Sequence, residues 1–343
     1  YVARSSKILA STLQLLIDKY KDKSKLMLIL CGSSMSYMED HVLAYKAPLY
    51  GRRTAQMKLL PFDFEETCRY FKNFTAEDKA LIYGVVGGTP QYLLQINDAL
   101  SVEDNIKDTF LNPVSFLYEE PINLLIHEVR EPAIYTAIIA AIATGASRMS
   151  EISGKVGEDT NVCAMYLKNL INLGIVQKET PYGEKASRKS VYSIEDNMFR
   201  FWYRFVFENN SIIARGAADL AYKRIEPQLS DYMGKVFEEI CKQYLWKQLL
   251  SGNCPVEFTA LGRWWGNNPK EKRQEEIDIM GVQDKNTALF GECKWTNEKV
   301  DLAVLEKLIE RSELFNYKNK YFYLFAKSGF TKGCISKAED MGN

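Results

Sequence analysis

The 343-residue chain contains no C-x-x-C pair, and its seven cysteines (31, 68, 163, 241, 254, 293 and 334) are scattered and odd in number. That argues against a disulfide framework and a thiolate zinc site, and it predicts a reducing, cytoplasmic setting. An excess of either charge is missing too, since Lys plus Arg and Asp plus Glu each number 44. The whole chain therefore exerts no global pull on nucleic acid or membrane, and any such contact must come from a local patch. Long hydrophobic runs are absent: "AIYTAIIAAIATGA" at 133–146 is too short to span a bilayer. With no charged-then-apolar leader opening the chain, no membrane partner is expected. The stretch G-x-x-x-x-G-K-[ST] does not occur, because Gly154-Lys155 is followed by Val156 and Gly234-Lys235 by Val236. Without that backbone cradle, its lysine and its hydroxyl, this chain by itself is not expected to bind or hydrolyse ATP. Internal repeats and low-complexity tracts are also lacking.

What is present is globular material, 46% hydrophobic, 12% aromatic and 26% charged, enough for two or three domains of roughly 100 to 150 residues each. The opening "YVARSSKILASTLQLLIDKY" enters a helix with no preceding strand to pack on, so the chain reads as a fragment. A continuous apolar run from Leu26 to Cys31 predicts a buried parallel strand, followed by a polar turn at Gly32, Ser33 and Ser34. Ser33 and Ser34 would sit at the carboxyl end of that strand, where open parallel sheets bind ligands, or would simply cap the next helix. A second short strand is expected over Thr54–Leu60, leading through Pro61 into a small helical bundle over 63–118.

Residues 130–195 change pattern. Three helices, "EPAIYTAIIAAIATG", "RMSEISGKVG" and "DTNVCAMYLKNLINLGIV", precede two strands around a charged turn. This is the order of a winged helix. The third helix carries only Lys168 as a base, and the wing sets Lys178, Lys185, Arg188 and Lys189 against Glu179 and Glu184, a net of +2. DNA binding and a plain protein contact stand equally open here. An aromatic helix, "EDNMFRFWYRFVFENN", and a long helix through "GKVFEEICKQYLWKQLL" then lead to an α/β module in which strands, the helix "DLAVLEKLIERSELF" and the strand "KYFYLFAKS" follow one another.

Within that module "EEIDIMGVQDKNTALFGECKW" places acids in strands. Glu292 and Lys294, two apart, share one face while Cys293 turns away, and strict alternation puts Asp278 on the face opposite Ile277 and Ile279. If the strands pair around the turn "QDKN", Asp278 approaches Glu292, and two adjacent carboxylates call for a cation. An all-oxygen site suits Mg²⁺ or Mn²⁺, with Lys294 placed to assist attack on a phosphodiester. On the preceding helix Glu238 is expected to face inward and Glu239 to be solvated.

The arrangement of Glu238 on a helix, Asp278 on a strand and, thirteen residues on, Glu292-Cys293-Lys294 resembles the PD-(D/E)XK nuclease superfamily. The resemblance implies that Asp278, Glu292 and Glu238 bind metal and that Lys294 assists the water. Ile277 stands where the pattern has proline. The front of the chain, "LILCGSSMSYMED", "APLYGRRTAQMKLLPF" and "GVVGGTPQYLL", resembles the archaeal-type ATPase family, a branch of the AAA+/STAND P-loop ATPases. Many members carry a winged helix and a C-terminal domain of unknown function that itself resembles PD-(D/E)XK nucleases. The resemblance makes Ser33 and Ser34 part of a sensor strand beside the γ-phosphate, and Arg52 and Arg53 candidates to contact nucleotide phosphate; taken alone, these arginines read as a solvated turn. It also implies that the P-loop and acidic strand lie upstream and that the full-length protein binds ATP; its AAA+ side implies oligomers, its STAND-like side a protein that need not form stable rings.

The expectation is thus a multidomain α/β protein: the distal part of an AAA+ ATPase core (1–62), a helical lid (63–120), a winged helix (121–200) and a PD-(D/E)XK nuclease-like domain (201–343). The function expected is ATP-dependent control of a DNA-directed, Mg²⁺-dependent nuclease-like domain. The alternative is a nucleotide-controlled module that contacts DNA or protein through a non-catalytic nuclease-like platform.

Overall fold

A computed structural model describes residues 8–32, 44–184 and 189–342. Ser33, Ser34, Lys185 and Arg188 lie outside the described residues. Helix α1 (Leu9–Tyr20) opens the described chain. The two strands expected next are not formed: residues 25–32 and 55–63 carry no regular secondary structure, and Met27, Ile29, Met57 and Leu59 are exposed. The physical reason is pairing. A buried strand needs neighbours for both its hydrogen-bonding edges and its apolar faces, and among the described residues no strand lies beside either segment.

The bundle that follows is helical as expected: α2 (Phe64–Tyr70), α3 (Ala76–Val86), α4 (Pro90–Leu93), α5 (Val102–Phe110) and α6 (Phe116–Glu128). Its starts are set by local chemistry. Asp63 with Glu66 and Thr75 with Asp78 form reciprocal capping boxes, and Ser101 accepts from the Asp104 N–H. Helices α7 (Pro132–Ala143), α8 (Met149–Val156) and α9 (Thr160–Asn172) then lead into an antiparallel hairpin, β1 (Val176–Glu179) and β2 (Val191–Ile194), the predicted order of three helices and two strands.

The aromatic segment forms α10 (Asn197–Phe201), a π-helical turn (Trp202–Val206) and α11 (Phe207–Ile213). Here Phe201, Tyr203 and Phe205 are fully buried, and Phe201 packs edge-on against Phe110 and Tyr232. One contiguous apolar core joins Phe71 to Ile240 through this segment. Large side chains at nearly every position bury all sides of a helix, which only a site surrounded by other helices can accommodate.

Helix α12 (Ala218–Leu250), 33 residues long, carries the chain to a four-stranded sheet ordered β3 (Leu261–Asn268), β4 (Arg273–Val282), β5 (Thr287–Lys294) and β6 (Asn319–Ala326). The first three strands are antiparallel and β5 runs parallel to β6, across the helix α13 (Leu302–Ser312). On one face α12 sets Cys241 and Leu245 against Ile279, Leu289 and Cys293; on the other α13 sets Leu308 against Ile277, Met280, Ala288 and Phe290. A last helix, α14 (Lys332–Asp340), which the sequence pattern did not announce, closes the described chain behind a Thr331 cap.

Ile277 and Ile279 therefore pack on opposite faces, contrary to strict alternation. Between the Gly262–Met280 and Trp264–Ile277 pairs, β4 has two residues, Asp278 and Ile279, against Arg263 alone on β3. That is a β-bulge, which adds a residue, breaks the period of two and re-aims the side chains beside it. Pairing between β4 and β5 also stops there, at Ile279 opposite Gly291. At that pair the strands come very close: a Cβ on Gly291 would lie 3.0 Å from Ile279 Cβ, so glycine is what the approach requires.

Candidate functional site

The bulge places Asp278 at the fork where β4 and β5 part. With main-chain pairing ended, the Cys293 N–H donates to Asp278 Oδ2 at 2.8 Å, and the carboxylate takes the place of a ladder carbonyl. Glu292 and Lys294 lie on the α13 face of β5, and Lys294 Nζ donates to Glu292 Oε1 at 2.7 Å. From α13, Arg311 Nη1 donates to Glu292 Oε2 at 3.1 Å and its Nε to Glu275 Oε2 at 2.9 Å, while Arg273 Nε holds Glu275 Oε1 at 2.5 Å. Glu275 and Glu292 are both buried, so this is an alternating row of charges, Arg273, Glu275, Arg311, Glu292 and Lys294, whose three central members are withdrawn from water and whose ends, Arg273 and Lys294, reach it. Buried charges persist only when so paired.

Glu238 projects from α12 with its side chain 15% exposed and takes a hydrogen bond from Lys235 Nζ at 2.9 Å. Its neighbour Glu239 is not simply solvated: it is part-buried and pairs with Lys242 at 2.9 Å. Burial works against the Glu239 carboxylate, yet the Lys242 and Lys235 charges outweigh it and hold the group below its ordinary range.

Asp278 has the opposite balance. Burial, then the charges of Glu292 and Glu238, push its pKa up to about 7, against smaller opposing effects of the Cys293 N–H and Lys294. Burial alone would lower the Lys294 ammonium, but Glu292 and Asp278 more than compensate and leave it raised. Asp278, Glu292, Lys294 and Glu238 are thus electrostatically one neighbourhood, assembled from β4, β5 and α12. Lys294 and Arg311 pair with Glu292 and Lys235 pairs with Glu238, whereas Asp278 accepts its hydrogen bond from the neutral Cys293 N–H.

Among the described residues no group of three or more His, Cys, Asp or Glu side chains is arranged to hold a metal ion. The donor chemistry of Asp278 with Glu292 nonetheless fits Mg²⁺ or Mn²⁺. Mg²⁺ in particular is usually bound through one or two carboxylates, with waters and phosphate oxygens filling the remaining positions.

The nucleotide candidates are not gathered in this way. Arg52 is engaged with α1, its Nε and Nη2 donating to the two Asp18 oxygens at 2.8 Å each, and Arg53 Nη1 donates to Gln56 Oε1 at 2.6 Å. Arg52 also borders a shallow cleft of about 550 Å³ with Gln14, Tyr45 and Tyr50. On the hairpin, Lys189 pairs with Glu184, and Lys178 lies over the Tyr192 ring. The loop that follows β1 docks on the sheet through Tyr182: its N–H donates to Arg263 O, and the Val282 N–H donates to its hydroxyl at 3.0 Å. Glu179 meets Arg263 at 3.3 Å, and Arg263 also reaches Glu276 at 2.9 Å.

Arg311, Glu275, Lys235 and Tyr182 were not singled out in the sequence. For Arg311 a signal exists. Leu305, Leu308 and Ser312 form the buried stripe of α13, and Arg311 lies three residues after Leu308, a guanidinium where the sheet-facing side is due.

Residues 2–96 match the family described as an ATPase domain predominantly from Archaea, and residues 202–306 match one described as archaeal and bacterial proteins of unknown function. The first match contains Ser33, Ser34, Arg52 and Arg53, and the second contains Glu238, Asp278, Glu292 and Lys294. The chain is 35% identical over 291 residues to an uncharacterised protein of Methanocaldococcus jannaschii, covering 84% of this chain and 64% of that relative. It therefore spans under two thirds of the length of the curated relative it matches. No solved structure matches. Among the described residues no helix is long and apolar enough to cross a membrane. With the two matched regions in this order on one chain, the protein belongs to the archaeal-type ATPase family with a C-terminal domain of unknown function.

Proposed function

We propose that the whole protein is an ATP-using switch whose C-terminal α/β unit acts on DNA as a Mg²⁺- or Mn²⁺-dependent nuclease of PD-(D/E)XK type, with α7–α9 and the hairpin as a winged helix between the two. The observation that carries this reading is the Asp278 carboxyl, part-buried beside Glu292 and Glu238, within one fork of the sheet that also holds Lys294. A carboxylate with raised proton affinity among other acids is a position that a cation would stabilise.

Asp278 and Glu292 would hold the ion, with Glu238 adding negative charge from α12. When bound, the ion supplies an activated water and electrophilic stabilisation of the charge developing on the phosphoryl group. Asp278 gives up its proton to become a donor, a step that becomes easier as pH rises towards 7. Lys294 lies 2.7 Å from Glu292 Oε1 and offers an ammonium to a phosphate oxygen or to the attacking water. The backbone bond from Cys293 keeps Asp278 turned into the fork.

One observation favours the second reading, a non-catalytic binding platform. Glu292 is already paired at both oxygens, by Lys294 and Arg311, so its charge is neutralised without metal.

Cleavage of supercoiled, linear and branched DNA with Mg²⁺ or Mn²⁺, comparing the parent with Asp278→Ala and Lys294→Ala, separates the two. Metal-dependent cleavage lost in both variants supports the nuclease. A folded parent that cuts none of these substrates moves the assignment to the platform.

A further inference from the structure

The two oxygens of Glu292 are held very differently. Oε2 is bound by Arg311, whose side chain is 15% exposed and whose Nε is fixed in turn by the buried Glu275. Glu275 is tied on its other oxygen to Arg273, so this side of Glu292 belongs to a relay of three further side chains. Among the described residues Oε1 is bound by Lys294 alone, and that lysine is 36% exposed on a flexible stem. An arginine bridging two acids through separate nitrogens resists displacement, because removing it takes a partner from two buried carboxylates at once. A half-exposed lysine is a mobile point charge that leaves at small cost.

We propose that Arg311, anchored by Glu275, is a positioning residue for the site, and that Lys294 is the exchangeable occupant of Glu292 Oε1. This rests on the metal-site reading above. Arg311 keeps Glu292 in one orientation by its Oε2, and a divalent ion enters by replacing the Lys294 ammonium at Oε1. The released ammonium becomes available to substrate phosphate in the same step. No covalent bond changes; one ionic partner of Glu292 is exchanged for another.

The test is Mn²⁺ binding to the chain, read from loss of the free-ion electron paramagnetic resonance signal, with a thermal melt of each variant as the folding control. Arg311→Lys keeps the charge but cannot bridge both acids in the same geometry, and it should weaken binding about tenfold or more, as loss of outer-shell ligand support does. Glu275→Gln loosens the anchor without touching Glu292 and should weaken binding severalfold; it carries the test if Arg311→Lys fails to fold. Lys294→Met removes the competing cation and should bind Mn²⁺ at least as tightly as the parent. Parent-like affinity in both Arg311→Lys and Glu275→Gln overturns the proposal, as does a loss in Lys294→Met equal to that in Arg311→Lys. A folded parent that binds no Mn²⁺ overturns the metal reading itself, and this inference with it.

Discussion

Asp278→Asn should flatten the pH dependence of folding stability in a way that can be worked out from the fork. In the folded chain burial, Glu292 and Glu238 hold the Asp278 carboxyl at about 7, against 3.8 for the free side chain. The folded value is the higher one, so below the unfolded pKa both states are protonated and the favourable term is fully present. As pH rises from about 4 to about 7, the unfolded chain releases a proton that the folded chain retains, and stability falls; above 7 the loss is complete. The gap between 7 and 3.8 corresponds to about 4 kcal/mol at about 1.4 kcal/mol per pH unit, more than half of which falls between about pH 5 and about pH 8. Asparagine cannot titrate, so the variant lacks this decline. Urea unfolding of parent and Asp278→Asn at the two pH values, with chelator present, gives the double difference directly. Curves for the two proteins that run parallel to within about 0.5 kcal/mol would refute the electrostatic account of the fork. Adding Mn²⁺ at the higher pH should restore stability to the parent and not to the variant, because only the parent's folded state gains a ligand.

Other perturbations read other parts of the structure. Tyr182→Phe removes the acceptor for the Val282 N–H, which should cost about 1 to 3 kcal/mol and speed exchange of that amide; unchanged exchange would mean that the Tyr182 hydroxyl does not latch the loop after β1 to the sheet. Phe290→Ala empties a fully buried site among Phe315, Tyr317 and Phe322, and about 3 to 5 kcal/mol should be lost in urea unfolding. Arg52→Ala breaks a surface pair with Asp18, and its melting midpoint should stay essentially where the parent's is. A large drop there would show that Arg52 does structural work beyond that pair.

Much of the C-terminal unit could be read from residues because its signals are local. "QDKN" between two apolar runs gives the β4–β5 turn, and alternation puts Glu292 and Lys294 together on one face, which the fold makes the α13 face. The errors arise where tertiary contacts override local pattern. The run Leu26–Cys31 has the composition of a buried strand but lies exposed, since nothing in a run of apolar residues says whether a neighbour is there to pair with. The bulge at Asp278 and Ile279 is invisible for a related reason: it is a mismatch between β4 and β3, a property of two strands and not of one. Glu275 reads as one more acid in "QEEID", and its burial is explained only once Arg311 arrives from a helix thirty-six residues later. Glu239 was expected in water because its neighbour Glu238 faces inward, yet α12 is packed broadly enough to draw in both.

That breadth of packing bears on how one part of the protein could influence another. Helix α12 buries Met233 and Val236 in the helical core and Cys241 and Leu245 against the sheet, with Glu238 between the two sets. It is also pinned from both sides. Gln243 accepts from the Phe64 N–H and donates to the Tyr83 hydroxyl, Lys247 pairs with Glu65, and Ser230 donates to Trp295 O at the end of β5. Gly84 of α3 approaches so closely that a Cβ there would lie 2.7 Å from Met233 Sδ. A helix so fixed cannot slide or roll on one partner without disturbing the other, because packed interiors do not deform smoothly. Lys235, one turn before Glu238, divides its charge between Glu238 at 2.9 Å and the hairpin's Glu179 at 3.8 Å. Glu238 is thus tied through Lys235 to the hairpin's Glu179, and its charge acts on Asp278, whereas Glu292 is held by Arg311 and, through it, Glu275. In the proposed switch the carboxylate on α12 is therefore the member of the site whose support depends on the helical part and the hairpin, and Glu292 is the member whose support comes from the α/β unit.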